Sequence, residues 1–131
     1  MSTPLTQRKS LLIVTTRVRD HGRLDFPWFT GGDAHFDAIR NALKLCSSDE
    51  PVVFGGGEPT LRSDFLDLLR MIPDHGILAT DGLALHQSEV VKTLVESGLN
   101  TVQIPIHSAR PDAHDWLVGI PGAHRRACRA I

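Results

Sequence analysis

PVVFGGGEPTLRSDFLDLLRMI, residues 51–72, passes from a short extended-favouring run through three glycines, a carboxylate and a proline into a helical pattern. Val52, Val53 and Phe54 have the apolar, partly β-branched character of a buried strand. Gly55, Gly56 and Gly57 allow positive φ and a close approach of backbone to whatever lies opposite. A turn of this kind serves either tight packing or the exposure of backbone N–H and C=O groups to a ligand, and glycines alone leave both open.

Outward from that segment the same alternation repeats. LLIVTTR (11–17) reads as a buried strand, and the loop VRDHGRLDFPWFTGGD (18–33) follows it. AHFDAIRNALKLC (34–46) spaces Phe36, Ile39, Leu43 and Cys46 as one helical face, with Asp33 placed as N-cap. After the strand PVVF and the glycine turn, Ser63 is placed to open the helix SDFLDLLRMI (63–72). GILAT (76–80) is a third strand, HQSEVVKTLVESG (86–98) a third helix stopped by Gly98, and TVQIPI (101–106) a fourth strand. HSARPDAHDWLVG (107–119) and GAHRRACRAI (122–131) complete the chain, the latter aligning Ala123, Ala127, Ala130 and Ile131. Four consecutive βα units predict an α/β fold with a parallel sheet, either open or an arc of a barrel, in a single domain over residues 1–131.

Composition narrows the function classes. The 131 residues carry a net charge of −1, with 41% apolar and 22% charged residues. There is no basic field for a phosphate backbone and no apolar run long enough to span a bilayer, which argues against nucleic-acid and membrane partners. The polar N-terminus precedes too short an apolar run for a secretory signal, so a cytoplasmic location is expected. HRRACR (124–129) reads as a solvated helix face. Cys46 and Cys128 match no CxxC spacing and read as buried thiols in a reducing compartment.

In βα architectures chemistry collects where strands end. The first strand end offers Arg17, Asp20, His21, Asp25 and Trp28, and the second Gly55, Gly56, Gly57, Glu58 and Pro59. The third offers Thr80, Asp81 and Gly82, and the fourth His107, Ser108 and Arg110. His35, His75, His86, His114 and His124 have polar neighbours and read as solvated. Trp28 and Trp116 read as covers over the core, and Asp112 and Asp115 as helix initiators.

VFGGGEPTLRSDFLDLLRMI, LATDGLAL and VQIPIHSARPDAHDWLVGIPGAHRRACRAI, taken in order, resemble the core of the radical S-adenosylmethionine superfamily, in particular its peptide-modifying and sulfatase- or cofactor-maturing branch. The resemblance implies an arc of a partial (βα)6 TIM-like barrel. It further implies that the backbone of Gly56, Gly57, Glu58 and Pro59 holds the methionine amino group of S-adenosylmethionine, with Thr80 and His107 nearby. His107 stands where members commonly carry an acidic residue.

The family's CxxxCxxC loop, whose three thiolates bind a [4Fe-4S] cluster, falls on Val18, Gly22 and Asp25 when aligned to this chain. The resemblance therefore implies a degenerate iron–sulfur motif, no cluster and no radical catalysis by this chain alone: a non-catalytic binding or scaffold module that keeps S-adenosylmethionine or peptide binding. Two alternatives stand beside it. One is a fragment or split component of an active enzyme, completed by a partner chain. The other is a metal-dependent hydrolase-like site built from Asp25, Glu58, Asp81 and His107. The chain ends at Ile131 inside a helical pattern without a stop signal, as a fragment of a longer chain does. Four units leave the fourth strand as an open edge, with Pro105 in it as an edge proline, and imply a homo- or hetero-oligomer through that edge.

Overall fold

A computed structural model describes residues 9–19, 31–47 and 49–131. The elements are β1 (Ser10–Thr15), α1 (Phe36–Lys44), β2 (Val52–Gly56), α2 (Phe65–Arg70), β3 (Gly76–Ala79), α3 (Ser88–Glu96), β4 (Leu99–Gln103), α4 (Pro111–Val118) and α5 (Ala123–Ala130). All four strands are parallel and lie in the order β1-β2-β3-β4. The sheet is not closed, and its geometry is that of an α/β arc consistent with a partial TIM-like barrel. Among the described residues no helix is long and apolar enough to cross a membrane.

Register explains which face is covered. Leu12 pairs with Phe54 and Phe54 with Leu78, so alternation brings these side chains into one row on the same face. That face, with Val14 and Val52, packs on Ile39 and Leu43 of α1, Phe65, Leu68 and Leu69 of α2 and Leu94 of α3. Phe54 and Phe65 meet edge to face at 5.7 Å. Each fully buried Phe or Leu of this row contributes roughly 1.5–3 kcal/mol of transfer free energy.

The opposite face carries Leu11, Val53, Ile77 and Thr101 in one row, and Ile13 beside Gly55 in the next. Gly55 and Ala79 leave that second row short of side chain, and Leu11 Cδ1 leans in to 3.1 Å from where a Gly55 Cβ would stand. Leu11 and Ile13 nonetheless remain 62% and 44% exposed.

Several local expectations are corrected. The N-cap of α1 is His35, whose Nδ1 accepts from the Asp37 N–H at 3.4 Å. Asp33 is drawn away by Arg17 and Thr15. Ser63 does not cap α2, which starts after Asp64, and the Asp64 carboxylate is held by Arg62. β4 stops at Gln103, so Pro105 lies beyond the strand rather than in its edge. Cys46 is half-buried and Cys128 exposed, so neither is a core thiol. Trp116 is exposed and so is Ile131, which leaves Ala123 and Ala127 as the buried face of α5. Gly98 does end α3, with φ +103.

Candidate functional site

Parallel strands place the end of each one at the same rim, and there the glycine turn meets the chain leaving β1. Gly56 has φ +111, and a Cβ there would collide with the Thr15 carbonyl oxygen. A Cβ on Gly57 would collide with the Arg17 carbonyl oxygen. The absence of side chains lets the Gly57 N–H donate to Thr15 O at 2.8 Å and the Glu58 N–H to Arg17 O at 2.7 Å. Of the two uses glycines allow, Gly56 and Gly57 serve close packing, and the amides of Gly57 and Glu58 are already spent on β1's continuation.

Glu58 then turns its side chain inward. It caps the 3-10 turn Pro59–Leu61, and Oε1 accepts from the Thr60 N–H at 3.2 Å, the Thr60 hydroxyl at 2.5 Å and the Thr80 hydroxyl at 2.7 Å. Oε2 accepts from the Asp81 N–H at 2.6 Å. Glu58 is 2% exposed. Burial pushes its carboxyl above the ordinary glutamate range, and the neighbouring Asp81 charge pushes in the same direction. Pro59 and Thr80 are buried beside it. The Thr80 N–H, donated to Gln103 O at 3.0 Å, ties this corner to β4.

Arg19, from the loop after β1, spans the rim. Its Nε donates to Asp81 Oδ2 at 3.0 Å and its Nη2 to Thr60 Oγ1 at 3.0 Å. Asp81 Oδ1 accepts from the Leu83 N–H at 2.9 Å. Arg17 grips both oxygens of Asp33 at 2.9 Å and the Leu61 carbonyl at 2.8 Å. The guanidinium, through its hydrogen bonds, holds the Asp33 carboxyl below its usual range. Beneath them the buried Arg62 donates to Val14 O at 2.7 Å and Ala34 O at 2.6 Å and chelates Asp64.

The structure thus gathers Gly56, Gly57, Glu58, Pro59, Thr80 and Asp81 at one corner. His107 belongs to a different cluster. Its N–H donates to His114 Nδ1 at 3.2 Å and its ring stacks on His114 at 5.4 Å, while His114 meets His124 edge-on at 5.5 Å. His114 is buried, not solvated, and burial, followed by the His107 and His124 charges, holds its imidazole below the ordinary histidine range. Residue-by-residue reading missed Arg19, Thr60, Arg62 and His114. For Thr60 the signal was available, since it directly follows GGEP.

Of the three positions aligned with cluster cysteines, Val18 is half-buried between Arg17 and Arg19. Gly22 and Asp25, with Asp20, His21 and Trp28, lie outside the described residues. A [4Fe-4S] cluster of this family needs three thiolates at this rim, and the chain has two cysteines in all. Cys46 follows α1, which runs back against the strands, so it stands at the start of β2, at the opposite end of the sheet from Gly56. Cys128 lies on α5 beside His124. The donor set does not fit the cluster. Nor does the structure unite the hydrolase-like set, because Glu58 and Asp81 adjoin while His107 sits with His114. Among the described residues no group of three or more His, Cys, Asp or Glu could hold a metal ion.

Comparison with known proteins agrees with the resemblance. The family profile described as Radical SAM superfamily matches residues 26–131. A probable GTP 3',8-cyclase of Thermococcus kodakarensis is 34% identical over 51% of this chain and 22% of its own. An AdoMet-dependent heme synthase of Methanosarcina barkeri is 33% identical over 67% of this chain and 26% of its own. A PqqA peptide cyclase of Methylocella silvestris is 35% identical over 54% of this chain and 20% of its own. The chain therefore spans about a quarter or less of the length of these curated relatives. With the profile covering most of the sequence and the glycine turn at the rim of a parallel sheet, the chain belongs to the Radical SAM superfamily.

Proposed function

We propose that this chain is a degenerate radical S-adenosylmethionine domain, a non-catalytic binding module that retains a site for S-adenosylmethionine or a peptide at the strand ends. The observation that carries this reading is the donor set, in which Val18, Gly22 and Asp25 stand at the cluster positions and Cys46 is at the wrong end of the sheet. The family match begins at residue 26, so Val18, Gly22 and Asp25 all lie outside it. The ligand would lie against Gly56, Gly57, Glu58, Pro59 and Thr80, with His107 at the rim's far side. An ammonium group needs acceptors, and the Glu58 carboxylate is already engaged, so the acceptors left to it at this corner are carbonyl oxygens of the turn and the Asp81 carboxylate.

Two measurements on the purified protein test this. Calorimetric titration with S-adenosylmethionine should give saturable heat. Anaerobic incubation with iron, sulfide and a reductant should give neither the broad visible absorption of a thiolate-bound cluster nor 5'-deoxyadenosine. Appearance of both would overturn the non-catalytic reading.

A second reading, a split component completed by a partner, draws on one feature of the sheet. Asn100, Thr101, Val102 and Gln103 of β4 are all exposed, and β4 has no strand beyond it among the described residues. Its test is the same reconstitution repeated with a candidate partner, alongside light scattering for a dimer. Cluster absorption only in the mixture would favour it over the first reading.

A further inference from the structure

We propose that Arg19 makes this rim a metal-free clamp for an α-amino acid head group, its guanidinium taking the ligand's carboxylate while Asp81 faces the ammonium. The inference rests on the binding-module reading above and adds to it the residue that selects the ligand.

Arg19 bridges two strand ends, reaching Thr60 after β2 and Asp81 after β3. Both partners are anchored from below by Glu58, through the Thr60 hydroxyl and the Asp81 N–H. A closed ring of hydrogen bonds thus runs from Glu58 through Thr60, Arg19 and Asp81 back to Glu58. A long, flexible side chain held at two points has already lost most of the rotamer freedom that binding would otherwise cost, which is what preorganisation means for affinity.

Among the described residues the clamp is held without being used up. Nε and Nη2 are engaged, while Nη1 makes no hydrogen bond among the described residues. The Arg19 and Asp81 side chains are 27% and 31% exposed, so both are open to a ligand and partly shielded from water. A guanidinium in that setting takes a carboxylate through parallel N–H donors, without a metal ion. Each Asp81 oxygen accepts one hydrogen bond, and a carboxylate oxygen has a second lone pair for an ammonium donor. Asp81 pairs directly with the guanidinium, and Glu58 supports both from behind through Thr60 and the Asp81 N–H, so the corner offers opposite charges side by side. A zwitterion laid antiparallel to the Arg19–Asp81 pair satisfies both. Ligands of this class are S-adenosylmethionine, S-adenosylhomocysteine and free amino acids. An adenosine thioether without the amino acid end is not one.

The test compares three ligands by calorimetry on the wild-type chain: S-adenosylmethionine, S-adenosylhomocysteine and 5'-methylthioadenosine, which lacks the amino and carboxyl groups. The first two should bind about tenfold or more tightly than the third, as expected for a charge-assisted contact. Arg19→Ala should bring their affinity down towards that of 5'-methylthioadenosine and leave the latter's affinity unchanged. Arg19→Lys, which keeps charge but not the fork, should fall between. Equal affinities for all three ligands, or an Arg19→Ala variant that binds S-adenosylmethionine as the wild type does, would overturn the clamp while leaving the binding module intact. No binding of any of the three overturns both. The ligand series uses unaltered protein, so it decides the matter even where a variant fails to fold.

Discussion

Glu58 and Arg19 share two partners: the Thr60 hydroxyl donates to Glu58 at 2.5 Å and accepts from Arg19 at 3.0 Å, and Asp81 meets Glu58 with its N–H and Arg19 with its carboxylate. The buried acid at the end of β2 is therefore the base on which the rim is built. Glu58→Ala leaves two hydroxyls and two amides without their acceptor, and an unmade buried bond costs about 1–3 kcal/mol. A loss of about 3 kcal/mol or more is expected in urea unfolding. Glu58→Gln keeps Oε1 as acceptor but sets an amide against the Asp81 N–H, donor facing donor, and should be intermediate. An Ala variant within about 0.5 kcal/mol of wild type, the ordinary surface range, would show that the ring does not stabilise the fold.

Gly57→Ala tests the seam between β1 and β2. Its new methyl would overlap the Arg17 carbonyl oxygen, which is backbone and cannot swing aside. Overpacking of that kind costs about 1–3 kcal/mol, and the amides of Gly57 and Glu58 should exchange with deuterium faster as their bonds to Thr15 and Arg17 open. Gly55→Ala is the matched control. Its methyl meets the tip of the Leu11 side chain at 3.1 Å, which can move, and Ala79 Cβ at an ordinary 3.6 Å, so it should be close to neutral.

Arg62 is the buried cation of the rim. Arg62→Met preserves much of its volume but removes the donors to Val14 O and Ala34 O and leaves the Asp64 carboxylate without its partner. The Asp64 side chain is 33% exposed and can be hydrated, so the cost lies mainly in the Val14 and Ala34 carbonyls left unpaired, about 1–3 kcal/mol. Chemical denaturation should show a loss of that size, and a variant as stable as wild type would indicate that water replaces the guanidinium.

How far these features were legible in the sequence follows from how local they are. The βα alternation was readable because β1, β2 and β3 hold short apolar runs and glycines or prolines stand between most strands and helices, and the structure returns four parallel strands in chain order. Helix starts were read less well, because Asp33 and Ser63 are good caps locally but Arg17, 16 residues away in sequence, takes the first and Asp64 begins the second helix. The acid of GGEP was visible, yet its role as a fourfold acceptor was not, since its donors Thr80 and Asp81 lie on another strand end. Arg19 was invisible for the same reason: its partners are 41 and 62 residues away. His114 looked like a surface histidine because Asp112 and Asp115 flank it, whereas the rings that pack on it, His107 and His124, come from outside its own helix.

His114 gives the fold a pH dependence whose sign can be fixed in advance. Its imidazole is held below the ordinary value of 6.5 by burial and by the His107 and His124 charges, with Asp115 opposing. A group that protonates less readily folded than unfolded stabilises the fold above its unfolded pKa, and that contribution is lost as pH falls through the folded pKa. Stability should therefore decline as pH drops below 6.5. His114→Asn keeps an acceptor in place of Nδ1 for the His107 N–H but cannot titrate, so its urea midpoint should fall less over the same range. Replacing His124 with Gln removes one repelling charge and should move the His114 titration, followed by proton NMR of the ring, upward towards 6.5. Identical pH slopes for wild type and His114→Asn would show that His114 is not the group responsible, and that α4 and α5 hold together irrespective of its charge.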